Sequence, residues 1–282
     1  MKKTIVYFFL IQLSFVCAQE KHVIGGRSVG LFSNFIGVLN NLVWCIKHNK
    51  APVAYWGEND CYFQKEGFNG AFNVWEYYFK PLSNQTYQPG DPIHSEYFAP
   101  NGFQISGNPE KLHHAFSPVL RKQFNYLIQR YISLKEPLQK AVDDFYYKHI
   151  AGKPTIGVHI RGTDKSKEAR AISVARFVEE IEKFDASYQV FLATDEQKIV
   201  DEFLKTCNRT VVYCNAQRSA NSLPLHYKIP ELHQGSHDAI LGQEVIVDTY
   251  LLSRCDIFIH SVSNVVLAVL FLNPDLKNVF VY

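Results

Sequence analysis

The second half of the chain alternates short apolar runs with longer stretches of helical period. Ile156–Ile160 reads as a strand, followed by a loop from Arg161 and a helix from about Ile172 to Phe184. Tyr188–Ala193 is a second strand, and a second helix runs from Asp195, expected as its cap, to Thr206. Thr210–Tyr213 is a third strand, and 215–236 a polar loop carrying Pro224, Pro230 and Gly235. A helix over about Asp238–Ser253 leads into strand Asp256–His260. Another helix starts near Ser263, and Asn278–Tyr282 closes as a strand. Such alternation predicts an α/β fold with a doubly wound parallel sheet.

The first half opens on a βα start. A glycine-rich loop, Gly25–Gly30, precedes an amphipathic helix from about Asn34 to His48 and a strand, Ala51–Trp56. Residues 58–105 are rich in Gly, Pro, Asn and aromatics, with one short helix around Val74–Phe79. From about Pro109 to His149 the pattern is helical, broken at Pro137. We therefore expect an N-terminal α/β domain over 19–150 and a doubly wound α/β domain over 151–282, divided near Ala151–Pro154. No internal repeat or low-complexity tract interrupts this plan.

Composition changes the picture at the N-terminus. Met1-Lys2-Lys3 is basic, Ile5–Val16 is apolar, and Val16-Cys17-Ala18 puts small residues before Gln19, the pattern of a cleaved signal over residues 1–18. A retained anchor is the competing reading, and association with a membrane depends on it. Residues 1–18 carry two lysines and no acid, so removing them takes the formal charge from +2 to zero. Bulk charge thus excludes an extended nucleic-acid surface and requires any anion site to be local.

Beyond Cys17, the chain has Cys45, Cys61, Cys207, Cys214 and Cys255. Cys45 and Cys255 lie in apolar periodic segments and read as core. Cys207 and Cys214 flank a short strand, which suggests a local bridge in an oxidising compartment. A zinc reading of these two with His226, His233 and His237 fails on spacing. Asn84-Gln85-Thr86 and Asn208-Arg209-Thr210 are glycosylation sequons, usable only where the host glycosylates.

Candidate chemistry collects at strand ends. Gly157, His159 and Arg161 share one face, with Arg161 at the carboxyl edge where open α/β sheets bind ligands. Its planar fork suits a pyrophosphate, although an Arg161–Asp164 pair could simply tie the loop. Ser261-Val262-Ser263-Asn264 follows a strand and opens a helix, an anion site in which one serine is accounted for by capping alone. Asp248 interrupts an apolar helix stripe and needs a partner: Arg161, a ligand group, or a structural salt bridge. Asp195-Glu196 stands at another carboxyl end, as cap or ligand contact. No Asp-x-Asp motif supports a metal-held sugar nucleotide, and the glycine-rich loop lacks the Gly-Lys-Ser/Thr ending of an ATP site.

His159-Ile160-Arg161-Gly162-Thr163-Asp164-Lys165 resembles the His-x-Arg-Arg-x-Asp-Lys signature of the α-1,6-fucosyltransferase and nodulation-fucosyltransferase group. More loosely, it is similar to the wider α-1,2-, α-1,6- and protein O-fucosyltransferase superfamily. Phe191–Asp195 looks like the second motif of that family, and Val247–Asp256 continuing through Ser261–Asn264 looks like its third. The similarity spans roughly 150–270, and more loosely 22–57. It implies a GT-B-like fold, two Rossmann-type domains facing a cleft, and a metal-independent, inverting transferase using GDP-fucose on a glycan or protein hydroxyl.

Under that resemblance Arg161 holds the β-phosphate and Lys165 adds positive charge. Asp248, Ser263 and Asn264 contact guanine or phosphate, and His159, Asp164, Asp195 and Ser261 line the donor site. Glu168 falls nearest the carboxylate base, one position off, and the second arginine of the pair is Gly162. Another nucleotide sugar, or a non-catalytic sugar- or nucleotide-binding protein, are the competing functions. The use of a nucleotide sugar behind a signal segment implies the secretory lumen (ER or Golgi) or secretion.

Overall fold

A computed structural model describes residues 19–95, 117–163, 172–220 and 238–282. The expected signal, Asp164, Lys165, Glu168 and the three histidines of the zinc reading lie outside the described residues. No helix among the described residues is long and apolar enough to cross a membrane.

Two parallel sheets organise the chain. The smaller joins β1 (Lys21–Gly25), β2 (Ala51–Tyr55) and β3 (Ile93–His94) in the order β2-β1-β3. Helix α1 (Leu31–Lys47) makes the crossover between β1 and β2. The larger sheet contains β4 (Thr155–Ile160), β5 (Gln189–Thr194), β6 (Val211–Val212), β7 (Ile257–His260) and β8 (Lys277–Phe280), in the order β6-β5-β4-β7-β8. Its crossovers are α5 (Val174–Ile181), α6 (Gln197–Thr206), α7 (Asp238–Leu252) and α8 (Asn264–Leu272). All described pairings within the two sheets are parallel, as the strand–helix alternation predicts.

β4 and β5 are buried along their whole length, so they read as continuous apolar runs rather than alternating ones. Ile156, Val158, Val190 and Leu192 face α5 and α6 through Phe177, Ile181 and Phe203. The opposite face, with Phe191, Ala193 and Phe258, packs under α7 and α8. That second cluster continues without a break into Ile24, Ala54 and α1. It also takes in α2 (Val74–Tyr78), α3 (Pro118–Tyr131) and α4 (Glu136–His149).

Polar ties cross the same region. Tyr78 Oη donates to Ala239 O at 2.8 Å, and Asn125 Nδ2 donates to Phe271 O and Leu272 O at the end of α8. Arg254 pairs with Asp143 at 2.7 Å. The turn near Ala151–Pro154, with Gly152 at φ 75, therefore joins two sheets that share one core.

Three sequence expectations change. The helical stretch before His149 breaks at 132–135, not at Pro137. Lys80 N donates to Ser133 O and Lys135 N to Tyr78 O, drawing that linker into pairing with the α2 exit. Pro137 sits in the first turn of α4, where its missing N–H costs nothing. Asp195 does not cap α6: the cap position is Glu196, with no side-chain bond to the helix. Cys207 and Cys214 are both free, because Cys207 packs into the α5/α6 layer while Cys214 packs against the opposite one.

Candidate active site

The chain runs from β4 outward to β5 and β6, then returns across β4 to β7 and β8. The order therefore reverses between β4 and β7, the kind of switch point at whose carboxyl ends open α/β sheets form their ligand crevice. The sequence puts Arg161 at the end of β4 and Ser261–Asn264 at the end of β7, so both banks of the crevice carry predicted site residues.

The β4 bank is held from β5. Asp195 Oδ1 accepts from Gly162 N at 2.8 Å, and its Oδ2 accepts from Thr163 Oγ1 at 2.7 Å. Both oxygens of Asp195 thus serve the turn that follows Arg161. Gly162 is closely surrounded: a Cβ there would lie 2.1 Å from Glu196 Oε2 and 2.7 Å from Ile199 Cδ1, so both side chains would have to shift. Glu196 is buried and pairs with Lys198 at 2.8 Å. His159 is buried and stands in register with His260 on β7. Gly157, on the same face, lets α7 approach, since a Cβ there would touch Cys255 and Leu252.

On the β7 bank, Ser263 caps α8 by accepting from Val265 N at 3.2 Å. Ser261 and Asn264 are half-buried, and their side chains make no hydrogen bond among the described residues. The N-terminus of α8 brings partial positive charge to the same place.

Asp248 projects from α7 into the core. Burial pushes its carboxyl up to about 7, opposed by the Cys214 thiol, which donates to it, and by nearby Arg218. Its Oδ1 has no hydrogen-bond partner among the described residues. The cation acting on it is Arg218 rather than Arg161, because α7 lies over β4 and β5 and meets the chain leaving β6. Arg218 is itself fixed, donating to Cys214 O at 2.7 Å and Ala216 O at 3.1 Å, with Tyr213 beneath it.

The glycine-rich loop faces this region from the other sheet. Gly26 packs where a Cβ would meet Trp56 and Asp60. Asn34 Nδ2 donates to Arg27 O at 2.8 Å and to Asp60 Oδ2 at 2.9 Å, tying loop to helix. Tyr62 Oη accepts from Leu31 N at 3.1 Å, and the Arg161 charge bears on that buried phenol. Burial drives Tyr62 well above its ordinary value, opposed first by the hydrogen bond from Leu31 N and more weakly by the Arg161 charge. Sequence reasoning missed Asp60, Tyr62, Cys214 and Arg218. All four sit in aperiodic segments, where the only signal is a polar residue just beyond a strand end.

Among the described residues, no group of three or more His, Cys, Asp or Glu stands in position to hold a metal ion. A doubly wound sheet with an arginine and a helix N-terminus at its switch point, facing a second parallel sheet, has GT-B-like architecture. Residues 104–271 match the family described as alpha-(1,6)-fucosyltransferase N- and catalytic domains, and the chain belongs to that family. It is thereby a fucosyltransferase.

Solved structures agree on the fold. NodZ alpha-1,6-fucosyltransferase co-crystallised with GDP is similar at 17% identity and a TM-score of 0.57, covering 91% of this chain and 93% of that one. Fucosyltransferase NodZ from Bradyrhizobium is similar at 18% identity and a TM-score of 0.53, with 86% and 87% covered. FUT1 of Arabidopsis thaliana, a mutant in complex with GDP, is similar at 12% identity and a TM-score of 0.54, with 94% and 71% covered. Comparison with curated proteins by sequence finds no match.

Proposed function

We propose that the protein transfers fucose from GDP-fucose to a hydroxyl of a glycan or glycoprotein, with inversion at C1 and without a metal ion. The observation that carries this reading is the register of β4 against β7, which sets the chain at Arg161 beside the start of the Ser261–Asn264 turn at the switch point. Related folds have been solved with GDP and soaked with GDP-fucose. In this reading the acceptor oxygen attacks fucose C1 from the face opposite GDP, and the bond from C1 to the diphosphate oxygen breaks with its electron pair going to GDP. The acceptor proton passes to a carboxylate base, for which Glu168 is carried from the sequence resemblance.

Arg161, Lys165 and the N–H groups opening α8 supply the positive charge that the leaving diphosphate needs. Asp248, with an unsatisfied oxygen in a buried setting, is suited to accept from the N–H groups of guanine. His159, Asp164, Ser261, Ser263 and Asn264 complete the donor contacts. Asp195 acts by holding the turn after Arg161.

Titration calorimetry with GDP-fucose, GDP-mannose and UDP-sugars tests the donor, and Arg161→Ala should abolish GDP binding while the circular dichroism spectrum stays unchanged. Preference for a UDP-sugar, or unaltered GDP affinity in the variant, would overturn the assignment. Donor binding with neither hydrolysis nor transfer across an acceptor panel would favour a non-catalytic binding protein. Residues 1–18 further support entry into the secretory lumen, with membrane attachment only where that segment is retained. Sequencing the mature N-terminus from a secreting host checks this, Gln19 being the expected first residue.

A further inference from the structure

Arg121, near the start of α3, is only 8% exposed and meets no carboxylate among the described residues. A buried guanidinium needs acceptors, and what faces it is the side-chain amide of Asn278 on β8. That amide has two orientations. With Nδ2 toward Arg121, donors oppose donors. With Oδ1 toward it, both terminal nitrogens donate, at 3.1 and 3.2 Å, and Nδ2 donates to His260 Nε2 at 3.2 Å. The second orientation gives up a 3.3 Å bond to Leu276 O and the 3.2 Å bond that an Nε2–H ring would donate to Oδ1, in exchange for the two bonds from Arg121, and neighbouring hydrogen bonds decide such assignments. Asn278 stands opposite Phe258 and His260 opposite Phe280, so Asn278 and His260 are diagonal neighbours on one face of the sheet.

His260 is fully buried, and burial lowers its pKa to about 4, so one ring nitrogen carries the only proton at neutral pH. Because Nε2 accepts from Asn278, that proton belongs on Nδ1, which lies 3.0 Å from Ser261 O. The directions are consistent from end to end: Arg121 to Asn278, Asn278 to His260, His260 to the Ser261 carbonyl.

We propose that Arg121 and Asn278 are positioning residues that fix the His260 tautomer, and through it the main chain of the Ser261–Asn264 turn that receives the donor diphosphate. This rests on the donor-site reading above. Held by its carbonyl, Ser261 enters the turn in one conformation, and the N–H groups that follow it stay aimed into the switch-point crevice. Losing one such bond would be felt at the donor as about a tenfold loss of affinity.

Nitrogen-15 NMR of histidine in the unaltered protein gives the first test, with His260 expected in the Nδ1–H form. An Nε2–H form would overturn the proposal without any variant being needed. Asn278→Asp keeps the shape and pairs with Arg121, but its carboxylate cannot donate to Nε2. It should convert His260 to an Nε2–H or doubly protonated ring and raise the Kd for GDP about tenfold, with the melting temperature held near that of the parent. Arg121→Met should raise Kd similarly by freeing the amide to turn. Arg161→Ala and Ser263→Ala, run alongside, separate the two readings. If they lose GDP and Asn278→Asp does not, the positioning role is wrong and the donor site stands. If none of the variants affects GDP binding, the donor site itself is misassigned and the positioning role falls with it.

Discussion

Gly162 occupies the position at which the resembled signature carries its second arginine, and a side chain there would have to displace Glu196. Glu196 fills the space a side chain would need, with an oxygen 2.1 Å from where a Cβ would be. Gly162→Arg should therefore cost about 1–3 kcal/mol by overpacking, measured by chemical denaturation, with no gain in GDP affinity. Combining it with Glu196→Ala should recover most of that loss. A second residue-scale outcome concerns Asp248. Its carboxyl, ordinarily near 3.8, is lifted to about 7 in the folded chain by burial. A folded pKa above the unfolded one means that its stability contribution is fully present in acid and fades as pH rises from about 4 through 7. Asp248→Asn removes that titration. In ligand-free protein its stability relative to the parent should improve between pH 4 and pH 8, by an amount on the order of 4 kcal/mol. Thermal melts at the two pH values read the difference.

At the scale of elements, the turn into α8 separates two kinds of serine. Ser263 closes the helix by accepting from Val265 N, so Ser263→Ala should lose about 1 kcal/mol of stability as well as GDP affinity. Ser261 has a hydroxyl that holds nothing among the described residues, and Ser261→Ala should weaken GDP binding while denaturation is unmoved. Paired urea titrations and calorimetry on the two variants make the comparison. The elements themselves were largely legible in the sequence. β4, β5 and β7 announced themselves as apolar runs, and the face shared by Gly157 and His159 follows from strand alternation alone. Legibility ended where partners come from different elements. Asp195 looked like a helix cap because it precedes α6, yet it bonds across to the turn after β4. Asp248 was identifiable as a buried carboxylate, but its neighbours Cys214 and Arg218 depend on how α7 lies over the sheet. Periodicity gives a residue its face and says nothing about what the next layer sets against it.

At the scale of the molecule, one apolar cluster runs from α1 and α2 through α3 and α4 to α7 and α8. The larger sheet alone would expose that whole layer. Residues 151–282 expressed by themselves should bind the dye ANS and fail to melt cooperatively, whereas residues 19–282 should unfold in a single transition by calorimetry. Gly242 belongs to the same seam, since a Cβ there would lie 2.1 Å from Tyr78 Oη. The cysteines carry a consequence at this scale too. No disulfide joins the described cysteines, and four of the five are buried; burial also pushes the Cys45 thiol up to about 12. Nothing in the described fold waits for an oxidant. Reductant should therefore leave the melting temperature of the protein unchanged, and slow alkylation of the four buried thiols should gauge how often the native packing opens.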